Sequence, residues 1–189
     1  MAGKVIILSA PSGSGKSTII SQIMKDKSLR LEFSISATNR SPRGGETDGV
    51  SYHFISTEAF RKAIADDALI EYEEVYPGRY YGTLKSEVDR IQGNGNNIVL
   101  DIDVKGAVNV MKQFKGNVLS LFIQPPSLQA LRERLTGRGT ESEEAIEQRL
   151  GKAEYELSFA SEFDHVVIND DLATAVSEVH KLISDFVNE

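Results

Sequence analysis

The chain has 189 residues but no cysteine, and it contains only three histidines, His53, His165 and His180. Without cysteine there can be no disulfide, no thiolate zinc site and no thiol nucleophile. The wide spacing of the histidines argues against a metal site built on imidazole ligands. Long apolar runs are also absent, since stretches such as residues 5–8 fall well short of the ~18 residues that span a bilayer. These absences exclude thiol chemistry and predict no association with a membrane.

Positive charge is scarce as well, because 21 basic residues stand against 28 acidic ones and leave a net charge of −7. A protein that binds nucleic acid through its phosphates carries an excess of positive charge, so we expect no nucleic-acid partner. A small anionic ligand needs only a local cluster of cations. The N-terminal sequence Met-Ala-Gly-Lys leads directly into an apolar strand without the pattern of an export signal, which predicts a cytoplasmic enzyme or binding protein.

The apolar pattern predicts an α/β fold. Apolar, β-branched stretches typical of buried strands occur at residues 4–8, 98–100, 118–123 and 166–168. Helical patterns lie between and after them, and this alternation predicts a parallel sheet with helices on both faces. We expect one helix to run from Glu141 to Phe163 with Thr140 and Glu143 as a capping box, and the last helix to be capped by Asp170 or Asp171.

Two segments interrupt this pattern. Residues 34–82 are polar and contain several glycines and tyrosines, and residues 136–140 are short, glycine-rich and positively charged. Insertions in an α/β core usually cover the carboxyl ends of the strands, where ligands bind. Both segments are therefore predicted to lie over a ligand site.

A phosphate-binding loop follows the first strand. Gly13 and Gly15 allow backbone N–H groups to wrap a polyphosphate, Lys16 adds a charge at the β- and γ-phosphates, and Ser17 is placed to hold Mg²⁺. A Gly/Ser loop that merely joins a strand to a helix is the alternative, but the buried strand before it and the helical pattern after it favour nucleotide binding. The sequence departs from the usual Walker A pattern only at Ala10, where a glycine is expected. The predicted ATP-binding loop comprises Ala10, Pro11, Ser12, Gly13, Ser14, Gly15, Lys16, Ser17 and Thr18.

The polar insertion has the residues for a second phosphate and a base. Arg40 and Arg43 flank Pro42, and guanidinium groups match phosphate oxygens in a bidentate manner. Glu71 lies between apolar and aromatic neighbours. A carboxylate there can accept two parallel hydrogen bonds from the N1–H and N2–H₂ groups of guanine, whereas adenine has no such pair of donors.

In these motifs and their order, the chain resembles the guanylate kinase family over about residues 3–187. The matching segments are residues 9–18 (SAPSGSGKST), 41–46 (SPRGGE), 80–82 (YYG), 100–106 (LDIDVKG), 134–140 (RLTGRGT) and 168–172 (INDDL). The resemblance implies a P-loop kinase that transfers the γ-phosphoryl group of Mg·ATP to GMP, and to dGMP, giving GDP and ADP. It also implies a core of residues 1–33, 84–124 and 156–189, a GMP-binding insertion of residues 34–83 and a lid of residues 125–155.

The resemblance further assigns roles to single residues. The GMP phosphate would be held by Arg40, Arg43, Tyr52 and Tyr81, with Glu46 supporting the arginine pair. Ser36, Glu71 and Thr83 would face the guanine, although the family usually has serine at the position of Thr83. Asp101 would contact either the base edge or a magnesium-bound water, and Asp103 would act indirectly. Lys16, Arg134, Arg138 and Arg149 would reach the transferred phosphoryl group, and Asn169 would lie near the donor adenine.

Two other functions remain open at this point. A kinase of a sugar bisphosphate would use the same fold, but it would not need the guanine-reading carboxylate of Glu71. A peptide-binding module derived from this family would have lost catalysis, but such modules usually have damaged phosphate loops, whereas Lys16, Ser17 and Arg138 are all present here. The sequence does not specify the oligomeric state.

Overall fold

A computed structural model of the chain describes residues 3–114, 116–137 and 142–189. The strands are β1 (Val5–Ser9), β2 (Leu31–Phe33), β3 (Ala37–Thr38), β4 (His53–Phe54), β5 (Leu69–Tyr76), β6 (Arg79–Leu84), β7 (Asn97–Asp101), β8 (Val118–Gln124) and β9 (His165–Ile168). The helices are α1 (Lys16–Ile23), α2 (Thr57–Ala65), α3 (Lys85–Gly93), α4 (Val104–Gln113), α5 (Leu128–Thr136), α6 (Glu143–Leu157) and α7 (Leu172–Asn188).

Five of the strands form a parallel sheet in the order β2-β7-β1-β8-β9. Along β1, Val5 and Ile7 point into one apolar cluster and Ile6 and Leu8 into another. Helices α1 and α7 contribute to the cluster on one face, and α3 and α4 contribute to the cluster on the other. The predicted parallel sheet with helices on both faces is therefore confirmed. The edge strand β2 has only three, half-buried residues, and the sequence pattern did not reveal it.

The insertion between β2 and α3 contains its own four-stranded sheet, in the order β4-β3-β6-β5. Helix α2 packs against this sheet through Phe60, in a small cluster with Ala37 and Leu69. Ile70 on β5 belongs instead to the core cluster of the parallel sheet, and its carbonyl accepts a hydrogen bond from the Gln113 side chain at 2.6 Å. The insertion is thus attached to the core beside Glu71.

Helices α5 and α6 pack against each other through Leu131, Leu135, Ile146 and Leu150. The predicted start of α6 is wrong, because the N-cap of this helix is Ser142, whose hydroxyl accepts from the N–H of Ala145. Its predicted end is also wrong, since α6 stops at Leu157 and a 3₁₀ turn follows at residues 160–162. Of the two caps expected for α7, Asp171 is the one that accepts, from the N–H of Thr174.

Within the described residues, no helix combines the length and hydrophobicity needed to cross a membrane.

Candidate active site

A cleft of about 580 Å³ opens at the carboxyl ends of β1 and β7, the edge where α/β sheets bind ligands. One wall is the loop that joins β1 to α1, and another is formed by β5 and β6 of the insertion. The start of α4 and part of α6 complete the boundary. The cleft brings together most of the residues that the sequence analysis selected. Those that line it are residues 10–18, Ser36, Tyr52, Glu71, Tyr81, Asp101 and Asp103.

The loop between β1 and α1 has the backbone of a phosphate-binding loop. Gly13 and Gly15 have φ angles of 97° and 90°, in the left-handed region that glycine adopts without strain. Helix α1 begins at Lys16, and no side chain among the described residues caps its first N–H groups. These N–H groups and the positive end of the helix dipole are therefore available to an anion in the cleft.

Lys16 forms an ion pair with the carboxylate of Asp101 at the end of β7. Burial lowers the pKa of Lys16 to about 8, and the nearby Glu156 carboxylate opposes this effect. The amino group therefore remains mainly protonated at neutral pH. Ser17 and Thr18 are exposed on the cleft wall. A cation, a hydroxyl group and backbone donors thus converge on one place.

Asn169 holds the phosphate loop from behind. Its buried side chain donates from Nδ2 to the carbonyl oxygen of Ser14 at 2.7 Å. A Cβ at Gly15 would lie only 2.3 Å from the same Nδ2 atom, so only glycine leaves room for this contact. The Arg134 guanidinium on α5 donates to the Asn169 carbonyl at 2.8 Å. Neither residue lines the cleft, and both connect α5 and the end of β9 to the phosphate loop.

Arg149 and Arg138 are the other two arginines assigned to the lid. Arg149 on α6 reaches the phosphate loop, where its Nη1 donates to the Ser12 hydroxyl at 2.9 Å. Arg138 lies outside the described residues, as does the proposed cap Thr140. Helix α6 is therefore tied directly to the loop that would bind the phosphates.

Arg40 is held in a fixed orientation by the insertion. Its guanidinium donates to both carboxylate oxygens of Glu46, at 2.6 and 2.7 Å, and its Nε donates to the Tyr81 hydroxyl at 3.0 Å. The Tyr52 ring lies 4.9 Å from the guanidinium carbon, within cation–π distance. The bond from Arg40 is the main cause that lowers the pKa of Glu46 to about 2, so the carboxylate stays ionised. The Arg43 N–H also donates to Glu46, at 2.7 Å, while the Arg43 side chain is exposed.

Glu71 is the buried carboxylate of the insertion, with 8% of its surface exposed. Its Oε1 accepts from the Thr83 hydroxyl at 2.7 Å. Burial raises the pKa of Glu71 to about 7, although the Thr83 bond acts in the opposite direction. The Thr83 hydroxyl therefore holds the carboxylate in place at the cleft wall. Its neighbour Asp103 caps α4 by accepting from the N–H groups of Lys105 and Gly106, each at 2.9 Å.

The cleft also contains residues to which the sequence gave no role, namely Glu73, Val75, Gly82, Ile102, Lys152 and Glu156. Glu156 is buried, and this burial raises its pKa, while Lys152 lies 3.6 Å from its carboxylate. Lys152 and Glu156 are four residues apart, which in the sequence indicates only an ordinary ion pair on a helix surface. This spacing did not predict that Glu156 would be buried near Lys16.

The sequence matches the family described as guanylate kinase over residues 2–186. The chain belongs to the guanylate kinase family. Among its relatives, the guanylate kinase of Bacteroides fragilis is 56% identical, with coverage of 97% of this chain and 90% of the relative. The guanylate kinase of Porphyromonas gingivalis is 50% identical, with coverage of 97% and 98%.

A solved guanylate kinase shares the architecture of this family member. The crystal structure of the guanylate kinase from Anaplasma phagocytophilum superposes with a TM-score of 0.78 at 27% identity, covering all of this chain and 88% of the other. The resemblance found in the sequence motifs is therefore confirmed at the level of family and fold. Guanylate kinases are ATP:GMP phosphotransferases, which favours the kinase of GMP over the sugar kinase and the peptide-binding module.

Proposed function

We propose that this guanylate kinase family member transfers the γ-phosphoryl group of ATP to GMP, giving ADP and GDP. The proposal rests on one observation. A glycine-rich phosphate loop and a buried carboxylate that can accept hydrogen bonds from guanine line the same cleft. In this proposal residues 34–83 bind GMP and residues 125–155 close over the phosphates.

On the donor side, the N–H groups of residues 13–17 and the Lys16 amino group bind the β- and γ-phosphates. When ATP binds, the Lys16 amino group leaves the Asp101 carboxylate and pairs with phosphate oxygens. The negative charge of the polyphosphate then raises the pKa of Lys16. Asn169 supports this loop through the Ser14 carbonyl. We therefore assign Asn169 to the position of the loop rather than to direct recognition of the adenine.

The donor substrate enters as Mg·ATP, and the oxygen donors present fit this ion. Mg²⁺ prefers hydroxyl and carboxylate oxygens, keeps several waters and binds substrate phosphates. Ser17 at the start of α1 would hold the ion, and Asp101 would accept from one of its waters, because Asp101 contacts Lys16 on the phosphate side of the cleft. When bound, Mg²⁺ neutralises charge on the phosphates.

On the acceptor side, Arg40, Arg43, Tyr52 and Tyr81 bind the phosphate of GMP. Glu46 keeps the Arg40 guanidinium oriented before the substrate arrives, which lowers the entropy cost of binding. Glu71 accepts from guanine N1–H and N2–H₂, and Thr83 and Ser36 complete the base pocket. Since these contacts are to the phosphate and the base, we expect dGMP to be accepted as well.

The attacking oxygen belongs to the GMP phosphate, which is already ionised at neutral pH, so no general base is required. In the transition state, negative charge spreads over the oxygens of the transferred phosphoryl group. Lys16 and the lid arginines Arg149 and Arg138 stabilise this charge. Arg134 supports the same assembly from α5. Closure of the lid after GMP binds excludes water, which would otherwise accept the phosphoryl group. We propose that the reaction takes place in the cytoplasm, where both nucleotide substrates are available.

The test measures ADP formation with Mg·ATP and, separately, GMP, AMP, UMP or no acceptor. We expect rapid turnover with GMP alone and a loss of about 10- to 100-fold in kcat/KM for GMP in Glu71→Gln, since one charged acceptor of two hydrogen bonds is removed. Turnover with none of the nucleotides, by protein shown to be folded by circular dichroism, would refute the proposal. Equal turnover with AMP would refute the assignment of the base pocket.

A further inference from the structure

Gly106 lies against the carboxylate that reads the base. It is a buried residue in the first turn of α4, and a Cβ built on it would be 2.6 Å from Oε2 of Glu71. Real Cβ contacts essentially never come closer than 3.0 Å. The next two nearest atoms also belong to the Glu71 side chain, its Cδ at 3.3 Å and its Cγ at 3.6 Å.

The backbone at Gly106 does not itself require glycine. Gly106 is helical and is not one of the described glycines with a positive φ angle. In a helix interior alanine is favoured over glycine by about 1 kcal/mol, so local propensity opposes the residue present. The reason for glycine at this position is therefore the neighbouring carboxylate.

The two sides of the contact are held by different interactions. Helix α4 is held by the Asp103 cap and by Val104, Ala107 and Val110, which are buried in the core. On the other side, Oε1 of Glu71 accepts from Thr83 at 2.7 Å while Oε2 faces Gly106. The carboxylate thus fits between a hydroxyl group on β6 and the first turn of α4.

We propose that Gly106 determines the specificity for guanine by leaving room for the Glu71 carboxylate in the orientation that accepts from the base. This inference rests on the proposed function. Gly106 is a positioning residue, because it acts through Glu71 and has no side chain with which to contact the substrate.

The expected effect of Gly106→Ala separates folding from recognition. The three atoms nearest to the added methyl group all belong to the Glu71 side chain. This side chain is held by a hydrogen bond to Thr83, whereas α4 is held by the core, so we expect Glu71 to turn away while α4 keeps its place. Loss of the Thr83 bond and of the aligned carboxylate should lower kcat/KM for GMP by about 10- to 100-fold. The KM for ATP and the unfolding midpoint should stay close to those of the wild-type protein.

The readout is the preference for GMP over IMP, which lacks the 2-amino donor. We expect Gly106→Ala to reduce this preference about 10-fold or more, mainly through the KM for the acceptor. Gly93→Ala is the matched control, because Gly93 is an exposed helical residue whose added Cβ has nothing within 4 Å. In a Glu71→Gln background, Gly106→Ala should change the preference less than about 3-fold, since the two changes act through one group.

Three results would overturn the inference. One is an unaltered preference for GMP over IMP in folded Gly106→Ala, and another is a full additional loss in the Glu71→Gln background. The third is a fall of more than about 10 °C in the unfolding midpoint, which would mean that the added methyl group displaces α4 and not the Glu71 side chain. Failure of the unchanged protein to phosphorylate GMP is a different outcome, and it would refute the proposed function instead.

Discussion

At the scale of the residue, Glu71 shows how recognition and stability oppose each other. A carboxylate that reads guanine must be ionised and shielded from water, yet burial disfavours the charged form and raises its pKa from 4.5 to about 7. The raised pKa means that the folded protein binds this proton more tightly than the unfolded chain does. The contribution of Glu71 to stability is therefore greatest below pH 4.5 and is lost as the pH rises through 7.

This conflict predicts a pH-dependent gain in stability for Glu71→Gln. At pH 8 the variant should be more stable than the unchanged protein by up to about 3 kcal/mol, because the cost of burying an ionised group is removed. At pH 5 the difference should fall below about 1 kcal/mol. Urea unfolding at both pH values measures it, and an equal difference at pH 5 and pH 8 would contradict the assigned shift in pKa.

At the scale of the element, the junction of β9 and α7 controls the shape of the phosphate loop. The loop is 155 residues from Asn169 in sequence, yet the Asn169 amide satisfies the carbonyl of Ser14. Helix α5 is close to the loop on another side, since a Cβ at Gly13 would lie 3.0 Å from the Leu131 and Leu135 side chains. The conformation that binds phosphate is thus imposed by three elements and not by the loop alone.

This support predicts that Asn169→Ala weakens the binding of ATP and leaves that of GMP unchanged. The Ser14 carbonyl would lose its buried partner, at a cost of about 1–3 kcal/mol, which corresponds to a rise of roughly 5- to 150-fold in the KM for ATP. Asn188→Ala at the exposed end of α7 is the control, because among the described residues the Asn188 amide donates only to Ser184. Steady-state kinetics with each substrate varied in turn decide between this result and a rise in both KM values.

At the scale of the whole molecule, the insertion is joined to the core next to the residue that reads the base. Ile70 packs in the core cluster while Glu71, one residue later, faces the cleft. The packing of a second sheet on the first therefore sets the distance between the base pocket and the phosphate loop.

Ile70→Ala should test this attachment. Loss of a buried isoleucine costs about 2–5 kcal/mol, which corresponds to a fall of roughly 5–15 °C in the unfolding midpoint for a chain of this size. We expect the KM for GMP to rise while the KM for ATP stays the same, because α1 and its loop pack in the opposite cluster. Calorimetry and kinetics provide the two measurements, and an unchanged KM for GMP would show that the attachment does not position the pocket.

The sequence alone determined the features that depend on neighbouring residues. Buried strands, the glycine-rich loop between a strand and a helix, and the paired arginines around Pro42 are local patterns, and each pattern carries its physical reason within a few residues. The α7 cap was narrowed to Asp170 or Asp171 in the same way, and Asp171 is the cap. The α6 cap was misplaced by two residues because Ser142 competes with Thr140 as a capping residue.

Only the tertiary structure decided which distant groups meet. Glu156 acts electrostatically on Lys16, Asn169 supports Ser14, and Gly106 makes room for Glu71, and in each case the partners lie on different elements. Such contacts depend on the packing of the elements, on which a local pattern in the sequence carries no information. The chain thus encodes its chemical groups locally, and the packing of its two sheets determines which of them act together.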